Sequence, residues 1–167
     1  MKKFRFLLYA IVGLNFVGLN AQQNLSSLSW NKVANSMPAE WYATDQAVQI
    51  ADTVVAYQTA IGGWTKNTGF HKKINQEEMA KVRKSGIGAT FDNGATVTEM
   101  RYLAKVYQSH KDAKYKEAFL KAFNYILEAQ YDNGGWPQFY PVRPTKTVTY
   151  SACITFNDND YVNVMYL

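Results

Sequence analysis

Apolar positions recur at helical spacing along this chain, and two of the segments they define end at a pair of glycines. From about Thr44 to Thr59, Ala47, Ile50, Ala51, Val54 and Val55 share one helical face, with Asp45 near the start and Gly62-Gly63 beyond the end. From about Gly94 to His110 the same spacing groups Val97, Met100, Tyr102, Leu103 and Val106. From Asp112 to Gln130 it groups Tyr115, Ala118, Phe119, Phe123, Ile126 and Leu127, and that segment stops at Gly134-Gly135. Asn75 followed by Glu78 predicts a capped, basic surface helix through Lys84. Thr96 and Glu99 have capping-box spacing too, which predicts a structural role for Glu99.

The order of landmarks repeats. Gly62-Gly63-Trp64 is followed by Thr90-Phe91-Asp92-Asn93 opening a helix, and Gly134-Gly135-Trp136 is followed by Thr155-Phe156-Asn157-Asp158 opening another. Val97 and Met100 are echoed in register by Val162 and Met165. A repeated helix pair predicts an all-α fold in which pairs stack side by side and close into an (α/α) toroid, with equivalent helix starts on one face. The sequence stops within the apolar stretch Val162-Asn163-Val164-Met165-Tyr166-Leu167, so the toroid is expected to be incomplete in this chain.

Composition changes this picture little. At 47% hydrophobic and 15% aromatic residues, the chain can build a core. Lys2, Lys3 and Arg5 precede an apolar run from Phe6 to Leu19 that ends near Ala21, which predicts a signal peptide over 1–21. The run is short for a bilayer span and is broken by Asn15, so no stable membrane insertion is expected after cleavage. Residues 22–40 then form a polar lead-in and 41–167 the domain, secreted or periplasmic. Cleavage removes three positive charges and lowers the net charge from +5 to +2, so the basic balance does not argue for nucleic acid. The single Cys153, between Ala152 and Ile154, is expected to be a small buried residue.

Asp92, Asn93, Asn157, Asp158 and Asp160 are hard oxygen donors at corresponding points of the repeat, and these residue types suit calcium. They are equally good helix caps, so the pattern leaves both roles open. Trp64 and Trp136, each after two glycines, fit either sugar-stacking platforms or core residues beneath a helix end. Lys66 and Asn67 beside Trp64 offer a cation and an amide to a carboxylate and a hydroxyl. Asp92 with Asp158 also leaves a glycosidase pair open, because the defining separation is spatial. His71 and His110 belong to no zinc or nucleophile motif, and no P-loop or dinucleotide fingerprint is present.

Taken together, Gly62-Gly63-Trp64-Thr65-Lys66-Asn67, Thr90-Phe91-Asp92-Asn93-Gly94-Ala95-Thr96, Asp132-Asn133-Gly134-Gly135-Trp136-Pro137-Gln138-Phe139-Tyr140-Pro141 and Ile154-Thr155-Phe156-Asn157-Asp158 resemble the successive motifs of family 10 polysaccharide lyases, the α/α-toroid pectate lyases. The resemblance covers roughly 41–167 and departs at Thr65, where a proline is expected. It implies calcium-assisted β-elimination of polygalacturonate (pectate) by a protein that is monomeric when complete. By motif, it implies Asp92, Asn93 and Asp158 as calcium or substrate-carboxylate residues, and Lys66, Trp64, Asn67 and Trp136 as substrate contacts. The family's base is an arginine that no motif supplies among Arg83, Arg101 and Arg143, so it is expected beyond Leu167 and this piece alone is expected to be inactive. The alternative is a non-catalytic pectin- or uronate-binding module.

Overall fold

The computed structural model describes residues 23–167 except 74, 85, 87, 145, 147, 148, 155, 157 and 158. The signal peptide predicted over 1–21, and the candidate ligands Asn157 and Asp158, therefore lie outside the described residues. The elements are helical: α1 (Trp30–Asn35), a 3-10 turn (Ala39–Ala43), α2 (Asp45–Ala56), α3 (Gln76–Lys84), a second 3-10 turn (Asp92–Gly94), α4 (Val97–His110), α5 (Ala113–Ala129) and α6 (Asp160–Met165). Among the described residues the extended pairings are isolated bridges, Thr90 with Phe139 and Pro137 with Ile154.

The helix starts follow local chemistry. Thr44 caps α2 by accepting the Ala47 N–H (3.3 Å), and Asp112 caps α5 by accepting the Lys114 N–H (3.0 Å). Asn75 caps α3 through the Glu77 and Glu78 amides, both at 3.1 Å. α3 has no buried residue, as a solvated basic helix requires. The predicted face of α2 is buried through Ala47, Ile50, Ala51 and Val54, and that of α4 through Val97, Met100, Tyr102, Leu103 and Val106. In α5 the buried face is rotated from the predicted one. Ala122, Tyr125 and Ala129 turn inward, whereas Phe123 and Leu127 are exposed.

α4 is the central element and packs against α5, α1 and α2. The polar lead-in does not remain outside: α1 belongs to this core. Val33 and Ala34 are fully buried, and the Trp30 ring packs on Phe70 (5.0 Å) and Tyr102 (5.1 Å). Lys105 of α4 closes the end of α1 by donating to the carbonyls of Ala34 (3.0 Å) and Asn35 (3.1 Å). A six-residue helix has too little apolar periodicity to announce this from sequence.

The repeat is real at the level of individual hydrogen bonds. Thr59 N–H donates to Gly63 O (3.0 Å) in one unit, and Tyr131 N–H to Gly135 O (2.8 Å) in the other. Gln58 and Gln130 donate their side-chain amides to the carbonyls of Gly62 (2.7 Å) and Gly134 (3.0 Å). Gly62 and Gly134 both have positive φ, 108° and 83°, and Asn93 and Asn159 share the left-handed region at 56° and 58°. The valine–methionine register is not matched by burial, since Val97 and Met100 are buried whereas Val162 and Met165 are exposed and Val164 turns inward. Cys153 is also exposed, because its neighbours form a surface turn closed by Cys153 N–H on Tyr150 O (2.9 Å). Among the described residues, no helix is long and apolar enough to cross a membrane.

Candidate functional site

The loop after the first glycine pair and the turn that opens α4 meet in space. Lys66 places its ammonium on Asp92 Oδ2, and Asn93 Nδ2 donates to Asn67 Oδ1 at 3.2 Å. Asn67 and Asn93 reach each other from left-handed backbone, φ 61° and 56°, a conformation that asparagine adopts more readily than most residues. Asp92 is held from below. Its N–H donates to Thr90 Oγ1 (3.0 Å), and the Thr90 hydroxyl donates to Gln138 O (2.6 Å). The Thr96 hydroxyl donates to Thr90 O (2.9 Å) and accepts the Trp64 N–H (3.0 Å). Three sequence motifs separated along the chain are thus tied into one backbone platform.

The pair is asymmetric: Asp92 is 4% exposed, whereas the Lys66 side chain keeps 37% of its surface. An ammonium has three donors, so Lys66 can hold Asp92 and still present a donor outward. Outside it lies a cleft of about 430 Å³ whose charged lining is Lys66, Lys72 and Lys73 against Glu78. On the other side of the Thr65–Gly69 loop is a second cleft of about 450 Å³, reaching Trp30, His71 and Glu99. Asn67 lines both, so the loop is a ridge between a basic cleft and one that contains a buried carboxyl.

Glu99 is 2% exposed; its Oε1 accepts the Trp30 indole N–H (2.7 Å), while Oε2 is buried without a hydrogen-bond partner. Loss of hydration raises its pKa to about 7, against the opposing pull of the Trp30 N–H and the Glu99 and Thr96 backbone amides. The predicted capping box is incomplete, because the Thr96 hydroxyl is committed to the platform and does not cap α4. His71 Nε2 lies 3.0 Å from Leu28 O, and its ring is stacked on Trp30 at 6.1 Å. Burial lowers the pKa of His71, with the Leu28 carbonyl opposing and Lys72 assisting. Sequence reasoning did not bring Trp30, His71 and Glu99 together; only the capping spacing of Glu99 was visible.

Trp64 is not a sugar platform. It is fully buried, with its indole N–H on Val54 O at 2.7 Å, and no face of the ring is open. Trp136 repeats that bond, Nε1 to Ile126 O at 2.9 Å, but stays half-buried with Tyr161 against its edge at 5.4 Å. The glycines before Trp64 are packed by protein, not left open to a ligand: a Cβ on Gly62 would sit 2.6 Å from Lys121 O, and one on Gly63 would sit 2.8 Å from Tyr125 Cε1. Of the candidate metal residues, Asp92 and Asn93 are together and Asp158 lies outside the described residues. Among the described residues no group of three or more His, Cys, Asp or Glu side chains is placed to hold a metal ion. Arg101 is bound to the Asn163 and Tyr166 carbonyls, both at 3.2 Å, and Arg143 lies 3.9 Å over the Phe139 ring. Arg83 lies on the solvated helix α3.

The pectic acid lyase family model matches residues 58–167. A family 10 polysaccharide lyase from Cellvibrio cellulosa is 37% identical over 77% of this chain and 38% of its own, with a TM-score of 0.58. An aspartate-to-alanine mutant of a family 10 polysaccharide lyase from the same organism, in complex with trigalacturonic acid, is 38% identical with a TM-score of 0.59 over the same shares. This chain therefore spans 38% of the length of those relatives. No curated protein matches significantly.

Proposed function

The chain belongs to the pectic acid lyase family and carries helix pairs of its α/α toroid, and we propose that it forms the uronate-holding part of a pectate lyase. The observation that carries this reading is Lys66, fixed by buried Asp92 at the edge of a basic cleft, with the paired amides of Asn67 and Asn93 beside it. An anchored ammonium with a free donor suits a uronate carboxylate, and side-chain amides suit sugar hydroxyls. The trigalacturonic acid bound by the Cellvibrio cellulosa mutant supports the same class of ligand.

The proposed reaction is β-elimination of polygalacturonate. A base removes the C5 proton, the electron pair forms the C4–C5 double bond, and the sugar linked through O4 leaves with its oxygen. Lys66, Asn67 and Asn93 hold the reacting uronate, while Asp92 positions Lys66. The described arginines are not placed as the base: Arg101 and Arg143 are engaged elsewhere and Arg83 projects from α3. Calcium is the proposed cofactor and when bound would supply a Lewis-acidic charge against the uronate carboxylate. The described residues alone do not fit it. They offer one carboxylate already held by Lys66 and two amides, where calcium takes six to eight oxygens. The remaining donors are proposed to include Asp158 and the substrate. Export is proposed from the sequence of residues 1–21.

The engaged arginines favour a second reading, a uronate-binding module without elimination. The test is ultraviolet absorbance of unsaturated ends released from polygalacturonate, with calcium and with chelator, beside calorimetric binding of trigalacturonate. Calcium-dependent absorbance from this chain, or from this chain joined to the later half of a family 10 lyase domain, supports the lyase; binding that Lys66→Ala abolishes, without absorbance from either, supports the module. Absence of binding by folded protein refutes both.

A further inference from the structure

A shift of 72 positions, Trp64 to Trp136, lays α2 on α5 residue by residue. The paired hydrogen bonds keep that register: Trp64 and Trp136 donate to Val54 O and Ile126 O, and Gln58 and Gln130 to Gly62 O and Gly134 O. α2 meets α5 along one stripe. Asp52 accepts the Tyr115 hydroxyl (2.7 Å), Gln58 donates a second N–H to Ala118 O (2.8 Å), and Thr59 O accepts the Lys121 ammonium (3.2 Å). The α5 backbone comes so near that a Cβ on Gly62 would sit 2.6 Å from Lys121 O. The equivalent positions on α5 are open. Val48, Ala51 and Val55, buried or half-buried, correspond to Leu120, Phe123 and Leu127, which are 47%, 42% and 51% exposed. Gln130 uses one amide N–H on Gly134 O and has the other to give. Gly134 shares the positive φ of Gly62, yet a Cβ there would meet nothing within 4 Å.

We propose that this face of α5 docks a helix that repeats α5, the first helix of a further pair of the same toroid. In a stacked helix repeat each unit is covered by its neighbour, and the α2–α5 contact is the template for the next one. The occupant is defined by what α5 turns toward α2: an aromatic hydroxyl as at Tyr115, an approachable carbonyl as at Ala118, and a cation as at Lys121. A second copy of this chain does not offer that surface, because its own α2 already covers it. The same helix would lie against α6 as α5 lies against α4, and α6 leaves Val162, Met165 and Tyr166 exposed. The inference rests on the repeat and not on the uronate reading.

The test is maleimide labelling of single thiols, with the exposed Cys153 replaced by serine, in this chain alone and in this chain joined to, or mixed with, the later half of a family 10 lyase domain. Phe123→Cys stands where α2 has fully buried Ala51, and Glu117→Cys where α2 has exposed Asp45. Both thiols should react freely in the chain alone. With the later half present, Phe123→Cys should react at least roughly tenfold more slowly, because labelling then waits on local opening, while Glu117→Cys should not change. Gly134→Ala should weaken that protection by placing a methyl where a helix backbone approaches. Equal reactivity of the two thiols in the joined and the mixed forms alike would overturn the proposal. Protection of Phe123→Cys in the chain alone, together with a dimer in sedimentation, would overturn it too, since the occupant would then be a second copy. Neither readout involves trigalacturonate, so the Lys66 reading stands or falls separately.

Discussion

Glu99 makes a strong prediction about stability. Its carboxyl ordinarily titrates at 4.5 and in the folded chain at about 7, because burial penalises the charged form. A carboxyl whose pKa is raised by folding stabilises the protein below the unfolded value. That contribution is lost as pH rises through the window from 4.5 to about 7. About two and a half pKa units, at roughly 1.4 kcal/mol each, give a loss of about 3 kcal/mol. Glu99→Gln has no proton to lose and can still accept the Trp30 indole N–H through its amide oxygen. The variant should therefore match or trail the unmodified chain at about pH 4.5, then gain on it by about 3 kcal/mol at about pH 8. In a chain of this size that corresponds to a relative shift in Tm of roughly 6–12 °C. Urea unfolding at both pH values, with the difference taken between variants, cancels the titration of every other group. A difference that is the same at both pH values would refute the assignment of Glu99 as a carboxyl held in its neutral form by burial.

Other predictions are simpler. Trp64→Phe removes the indole donor from the Val54 carbonyl, which keeps the Tyr57 N–H at 3.2 Å, and should cost about 1 kcal/mol by urea unfolding; trigalacturonate affinity of the folded variant should be unchanged, as befits a core residue. Gly134→Ala meets open space and should cost only the left-handed backbone term, about 1–2 kcal/mol. Gly62→Ala adds a clash with the Lys121 carbonyl 2.6 Å away and should be clearly more destabilising in the same measurement. Lys105→Met removes the ammonium that closes α1 and should cost about 1 kcal/mol, with faster amide exchange in Trp30–Asn35 than in α4.

The sequence by itself determined α2 to α5, the Asn75 cap and the order of the repeat. Helical periodicity in α2 and α4, the caps at Thr44, Asn75 and Asp112, and the left-handed glycines are local features, decided within a few residues by backbone sterics and orphan amides. The motifs also marked Lys66, Asn67, Asp92 and Asn93 as candidates. Their pairing across 26 positions needed the fold, because no local rule brings a loop to a helix start. Tertiary packing also decided which of two equal readings each ambiguous residue took. Trp64 became core because α2 offered it a carbonyl, whereas Trp136 in the same motif stayed half-buried. Glu99, legible as a capping residue, became a buried carboxyl because α1, unremarkable in sequence, laid Trp30 over it. Burial and charge environment are properties of what surrounds a residue, and for Glu99 those surroundings come from a segment 69 residues away.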